Sequence, residues 1–366
     1  MLQTRTRPLA AALIVILTST FGGTLGGTLG CARAATPADR DARLGQWFLD
    51  PSSKRDRSDM LRISFRRTGV QGWQSWGSQL VSFDHLEGLT AADLTSGAHP
   101  VTFRVRRDGG TFHCRGSIDG NRGAGTYELV LDPKFPAELK RRGLETPTEA
   151  EHVRLVMANA GIALLDELHT QGYGRPDLLM LLKMADHGVS QDYVRSMGTL
   201  GYRLDSLNEL VMARDHGVDP AYVRALANAG FKNLPFEQLL RARDHGVDAQ
   251  FIEGYKELGY GDLSLDELIS MRDHGVDPQF IEGMRDLGYK KASLEMFLMA
   301  RNHGVDPEYV EDMADVGFKS LPLEELIQAR NHGVDASYVR RVRASQGRDL
   351  ALDEIIALRN QGYKPR

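Results

Sequence analysis

The sequence predicts an α+β multidomain protein: a small antiparallel β-domain followed by an α-solenoid of two-helix, 29-residue repeats. Two observations carry this. Between residues 58 and 133, apolar and polar residues alternate, interrupted by glycine-containing turns. After about residue 150, one phrase recurs at a fixed period, so that His187, His216, His245, His274, His303 and His332 each lie 29 residues from the next.

The chain has 366 residues, enough for two or three domains, with 42% apolar and 26% charged side chains. Its formal net charge is −4, so bulk electrostatics favour neither nucleic acid nor an anionic membrane. Residues 1–34 read as a cleavable export signal: Arg5 and Arg7 precede the apolar run LAAALIVIL, and Ala32 and Ala34 offer a small-x-small cleavage site. The apolar run is too short to span a bilayer. Lipidation at Cys31 is the weaker alternative, because Thr28 stands where an aliphatic residue is wanted. Cleavage after Ala34 leaves Cys114 as the one cysteine, so no intramolecular disulfide can form. Cys114 sits on an alternating strand pattern and is expected to be a core thiol.

Residues 35–57 read as a linker and 58–133 as the β-domain. Leu61, Ile63 and Phe65 share one face, as do Val101, Phe103 and Val105, then Phe112 and Cys114, then Tyr127, Leu129 and Leu131. Asp108-Gly109-Gly110 and the run from Asp119 to Gly123 supply hairpin turns. Residues 86–94 (LEGLTAADL) suggest a short helix between strands. Trp73 and Trp76 are expected to cover the open sheet edge. Residues 134–150 form a connecting helix and linker, and 151–366 the solenoid of about seven to eight copies.

One copy shows why each half-repeat is a helix. Gly217 follows Asp215 and His216, where a left-handed residue must end the helix and glycine costs least. Val218 packs back, Asp219 caps the next helix and Pro220 opens it. Helix A runs from Pro220 to Ala229 and helix B from about Pro235 to Asp244. In the following copy Ser264 and Glu267 form a capping box. Gly188, Gly217, Gly246, Gly275, Gly304 and Gly333 hold the same turn in each copy. Helices this short are marginal alone, so each must bury its stripe against a neighbouring copy.

The histidine ladder invites a metal, but equivalent residues in packed helices lie about 8–10 Å apart. Two ligands of one zinc need nitrogens within about 3–4 Å, given bonds of about 2 Å. The expected role is instead structural, with each ring at a helix C-terminus bonding a free carbonyl. Residues 180–366 carry 23 Lys/Arg and 30 Asp/Glu, a balance of −7, which suits nucleic acid poorly. Arg195, Arg224, Glu253, Glu282, Glu311 and Arg340 share one variable repeat position, where a partner-specific surface would be written.

No zinc-peptidase HExxH, no GxSxG elbow and no phosphate-binding GxxxxGK[ST] loop occurs, and His113 and Cys114 are strand neighbours that point to opposite faces. The DHGV turns, LGY ends and SLDEL starts resemble the tandem repeats in the tails of bacterial membrane metallopeptidases of the beta-lactam-sensing antirepressor (BlaR-type) class. LEGLTAADL, PVTFRVRRDGGTFHCRG and GAGTYEL resemble the β-segment before those repeats; together the likeness covers about residues 60–366, without the peptidase domain. The resemblance implies an envelope-facing sensor or interaction module. The expectation is an exported, non-enzymatic scaffold in the periplasm or cell envelope. It would bind another envelope protein, without cofactor, metal, nucleic acid or a membrane span after signal removal. The alternative is an envelope-stress or ligand-sensing accessory, with a small-molecule or glycan site in the β-domain.

Overall fold

The computed structural model describes residues 43–49, 60–69 and 72–365. The expected signal segment, Cys31 and most of the expected linker lie outside the described residues.

Seven strands form one antiparallel sheet: β1 (Leu44–Leu49), β2 (Met60–Gly69), β3 (Gly72–Ser82), β4 (Leu86–Glu87), β5 (His99–Arg107), β6 (Gly110–Asp119) and β7 (Arg122–Leu131). Their spatial order is β3-β2-β1-β7-β6-β5-β4. Residues 44–49 are therefore not linker. They make a central strand that pairs with both β2 and β7, and Trp47 on it is 0% exposed. The expected short helix at 86–94 is also absent: Leu86 and Glu87 pair with β5, and only a 3-10 turn forms at Asp93–Thr95. Gly88, at φ +85, breaks the segment.

Flat, β2 and β6 would be about 14 Å apart, three strand spacings. Yet Phe65 of β2 stacks on Phe112 of β6 at 4.3 Å between centroids. The sheet thus curls around its own core, with Trp47, Phe65, Phe103, Phe112 and Tyr127 in aromatic contact. Cys114 is fully buried there, as its strand pattern predicted, and burial pushes its thiol pKa well up. Trp73 and Trp76 lie on β3, the edge strand, but their side chains lie outside the described residues.

Sixteen α-helices follow among the described residues. The first three are α1 (Phe135–Arg141), α2 (Glu149–Ala158) and α3 (Ile162–Thr170). Next come α4 (Leu178–Asp186), α5 (Gln191–Thr199), α6 (Leu207–Asp215), α7 (Pro220–Asn228), α8 (Phe236–Asp244) and α9 (Ala249–Glu257). The rest are α10 (Leu265–Asp273), α11 (Pro278–Asp286), α12 (Leu294–Asn302), α13 (Pro307–Asp315), α14 (Leu323–Asn331), α15 (Ala336–Gln346) and α16 (Leu352–Asn360). No helix among the described residues is long and apolar enough to cross a membrane.

The punctuation is chemical. Asp219, Asp248, Asp277, Asp306 and Asp335 each accept a hydrogen bond from the backbone N–H of the third residue of the helix they cap. Ser264 and Glu267 form the full capping box. At the other end Gly217 sits at φ +69, and Val218 N–H donates to the Ala213 carbonyl at 2.7 Å, the six-to-one closure of a left-handed helix stop. Odd-numbered helices from α3 to α15 pack in sequence against one another, and α2, α4 and α6 do the same on the other side. In α9, Phe251, Ile252 and Tyr255 are buried, each contributing about 1.5–3 kcal/mol by burial. One continuous core runs from Phe135 to Ile356.

Helix α2 belongs to both cores. Leu155 joins the helical one, while Val153, Val156 and Met157 close the β-domain core. Helix α1 likewise sends Phe135 and Leu139 into the helical core, so the stretch expected to connect is itself packed.

Candidate interaction surface

Along each odd-numbered helix the apolar stripe fixes what faces out. In α7, Tyr222, Val223 and Leu226 turn inward, so Arg224 must turn outward. The same geometry exposes Arg195, Glu253, Glu282, Glu311 and Arg340, one per helix on α5, α9, α11, α13 and α15. The six residues form a row whose charge reads plus, plus, minus, minus, minus, plus.

The row is not uniform in its bonds. Arg195 donates through Nε and Nη2 to Glu167 Oε2 at 2.9 and 2.8 Å. Glu167 is only 6% exposed, so Arg195 neutralises a carboxylate that burial would otherwise penalise. Glu253 pairs with Lys256 at 3.3 Å, an exposed i,i+3 contact of small energetic weight. Glu282 lines an open surface cleft of about 640 Å³ with Arg285, Asp286 and Lys290. A second open cleft, of about 280 Å³, lies beside Tyr202, Leu204 and Phe236.

The histidine ladder differs from expectation. The rings do not bond carbonyls of their own helices; they reach the next copy. Nδ1 of His187, His216 and His245 donates to Oδ1 of Asp215, Asp244 and Asp273 at 2.5–2.6 Å. His274 and His303 donate in the same way to Asn302 and Asn331 at 2.7 Å. The acceptor oxygens fix the Nδ1–H tautomer, because carboxylate and amide oxygens cannot donate. His332 occupies the matching helix end of α14. The rings therefore tie copies together, and the described residues hold no group of three or more His, Cys, Asp or Glu suited to a metal.

A second ladder, joining the two helices of each copy, escaped the sequence reading. Arg214, Arg243, Arg272, Arg301, Arg330 and Arg359 lie over the rings of Tyr193, Tyr222, Phe251, Phe280, Tyr309 and Tyr338 at 4.6–5.3 Å. Both series repeat every 29 residues, a signal that was available in the sequence. The same guanidinium groups press on the turn glycines: a Cβ on Gly217 would come within 3.1 Å of Arg243. Where the aromatic is tyrosine, its hydroxyl donates onward: Tyr193, Tyr222 and Tyr309 to the Val218, Val247 and Val334 carbonyls at 2.8–3.0 Å. Burial pushes the Tyr309 phenol up to about 12. These contacts hold the exposed row in fixed spacing.

The β-domain is joined to the helices by a dense polar junction. Arg107 Nη1 donates to the Val156 and Met157 carbonyls at 2.5 and 2.6 Å, and Nη2 to Gln79 Oε1 at 2.6 Å. Its guanidinium also lies against the Phe65 and Phe112 rings at 5.4 and 4.8 Å. Burial lowers its pKa to about 10, and it remains charged at neutral pH. Asp108 accepts from the Ala163 N–H at 2.7 Å in the first turn of α3. His152 Nε2 meets the Gly109 carbonyl at 2.7 Å, its ring stacked on Phe135.

No protein family matches the chain, and no curated protein matches it.

Proposed function

We propose that the chain is an exported, non-enzymatic protein-interaction scaffold of the cell envelope. In this reading the helical part is an α-solenoid of two-helix, 29-residue repeats that carries a binding row on one face. The observation that supports it most is the exposure of all six variable-position residues, from Arg195 to Arg340, on six successive odd-numbered helices. Stacked copies present extended surfaces, and side chains free of the packing are where partner choice can be encoded without loss of fold. The resemblance to envelope-sensor repeats leans the same way.

The test is site-specific photocrosslinking. A photoreactive residue at Glu282, on the row, should capture a discrete protein from envelope extracts. The same residue at Glu295, exposed on α12, should not. Equal labelling from both positions would remove the row from the account.

The junction through Arg107, Asp108 and His152 favours a second reading, in which a ligand bound by the β-domain is relayed to the helices. Tight coupling of two cores is what such a relay requires.

A further inference from the structure

We propose that Met212 and Met299 are surface oxidation sites, which take up oxygen from a two-electron oxidant such as a peroxide before the core methionines do. The two lie on even-numbered helices, α6 and α12, so this inference stands apart from the row on the odd-numbered helices.

The methionines divide by burial. Met157, Met184, Met197, Met284 and Met313 are 0% exposed, whereas Met212 and Met299 are 38% and 46% exposed. Met180 and Met296 are partly buried against the helical core. Met197, Met284 and Met313 share one repeat position, on α5, α11 and α13, and pack into the core that holds the copies together. Met212 and Met299 share another, three periods apart. In other copies that position holds Lys183, Arg241, Ser270 and Gln328. Lys183 donates to Asn208 at 2.9 Å and Arg241 pairs with Asp266 at 2.9 Å, each a polar tie to the next copy. A thioether makes no such tie. What sets Met212 and Met299 apart from these side chains is accessible sulfur.

No thiol competes with it among the described residues. Cys114 is free but fully buried, and burial pushes its thiol pKa up, which keeps the sulfur protonated and unreactive.

The step needs no group of the protein beyond the thioether. A sulfur lone pair attacks one oxygen of hydrogen peroxide. The S–O bond forms as the O–O bond breaks, and the departing hydroxide takes the proton of the transferred oxygen and leaves as water. Sulfur loses two electrons and the peroxide gains them. The sulfoxide is polar, so it is tolerated at a wet surface and unfavourable in an apolar core. Oxidant consumed at Met212 and Met299 leaves the copies packed, whereas a sulfoxide at Met284 would loosen α11 from α9 and α13.

The test is a hydrogen peroxide time course on the folded protein as recovered from the cells that make it. Peptide mass mapping follows each methionine, and circular dichroism follows the fold. Met212 and Met299 should each gain one oxygen at least about tenfold faster than Met197, Met284 and Met313. The melting temperature should be unchanged when only those two are oxidised. With oxidant limited to about two equivalents per chain, M212L/M299L should carry more core sulfoxide than wild type. Core methionines that react as fast as Met212 and Met299 overturn the proposal. So does a fold lost while only those two are oxidised, or equal core sulfoxide in the two proteins at limiting oxidant. Should the leucine variant fail to fold, the wild-type time course decides alone.

Discussion

Arg243 lies over the ring of Tyr222 on the other helix of the same copy, its guanidinium carbon 4.8 Å from the ring centroid. The contact joins helix α8 to α7 and presses on the Gly217 turn that precedes α7. One side chain thus touches both the aromatic and the glycine turn that open its own copy.

Removing it should loosen a copy without erasing the fold. Arg243→Ala loses a partly desolvated cation–π contact and the packing of the arginine stem, a cost of about 1–2 kcal/mol. Gly217→Ala should cost a similar amount, because its φ of +69 is strained for alanine. Urea unfolding midpoints check both. A change below about 0.3 kcal/mol for either would mean that the ladder is incidental.

Phenylalanine replaces tyrosine at position 251, and the structure shows a compensation. The Val276 carbonyl, which a tyrosine at 251 would serve, accepts instead from the hydroxyl of Tyr255, a fully buried residue of the same helix. Tyr255→Phe should therefore cost about 1–2 kcal/mol by stranding that carbonyl. Adding Phe251→Tyr should recover most of it, since Tyr222 already makes the equivalent bond to Val247. A double-mutant cycle measures the coupling, and additive losses would contradict it.

Arg107 ties the β-domain to the end of α2 through two hydrogen bonds. Arg107→Met keeps an apolar stem against the Phe65 and Phe112 rings but removes the guanidinium bonds to the Val156 and Met157 carbonyls, leaving them to the Asn159 N–H and Gln79 Nε2. Each lost hydrogen bond to the charged group costs about 1.5–3 kcal/mol. Hydrogen exchange should then show α2 amides opening faster than those of α9. Unchanged protection in α2 would show that water or a neighbouring group replaces the guanidinium.

His152 gives the junction a pH dependence. Burial, the largest influence, lowers its pKa from 6.5, with Arg43 adding to the effect while Gly109, Asp132 and Glu149 oppose it. The unfolded chain therefore binds the proton at a higher pH than the folded chain. The stability that the neutral ring contributes is complete above the unfolded value of about 6.5 and is lost as pH falls from there through the lowered folded value. The wild-type loss between about pH 7.5 and pH 5 should exceed that of His152→Gln. Equal pH slopes in the two proteins would exclude the residue as a source.

The helix boundaries were legible because their signals are local. Gly217, Asp219 and Pro220 are adjacent, and each acts through its own backbone. What sequence reasoning missed depends on contacts between distant residues. The strand Leu44–Leu49 is short and follows a charged stretch, and its place at the sheet centre comes from pairing with residues 123–128. The histidine partners lie 28 positions on, an offset set by how adjacent helices stack, so a ring expected to bond its own helix bonds Asp244 or Asn302. The row from Arg195 to Arg340 was readable as outward-facing from the apolar stripe alone. That Arg195 is committed to the buried Glu167 was not, because Glu167 precedes the regular copies and its burial depends on helix packing.

The most direct test of the account is an affinity pull-down from envelope extracts with wild-type protein beside R224E/E253K/E282K/E311K. The four positions are exposed, so the variant should keep the wild-type melting temperature. One or more specific proteins should be recovered with wild type and lost with the variant. Identical recovery by two folded proteins would contradict it.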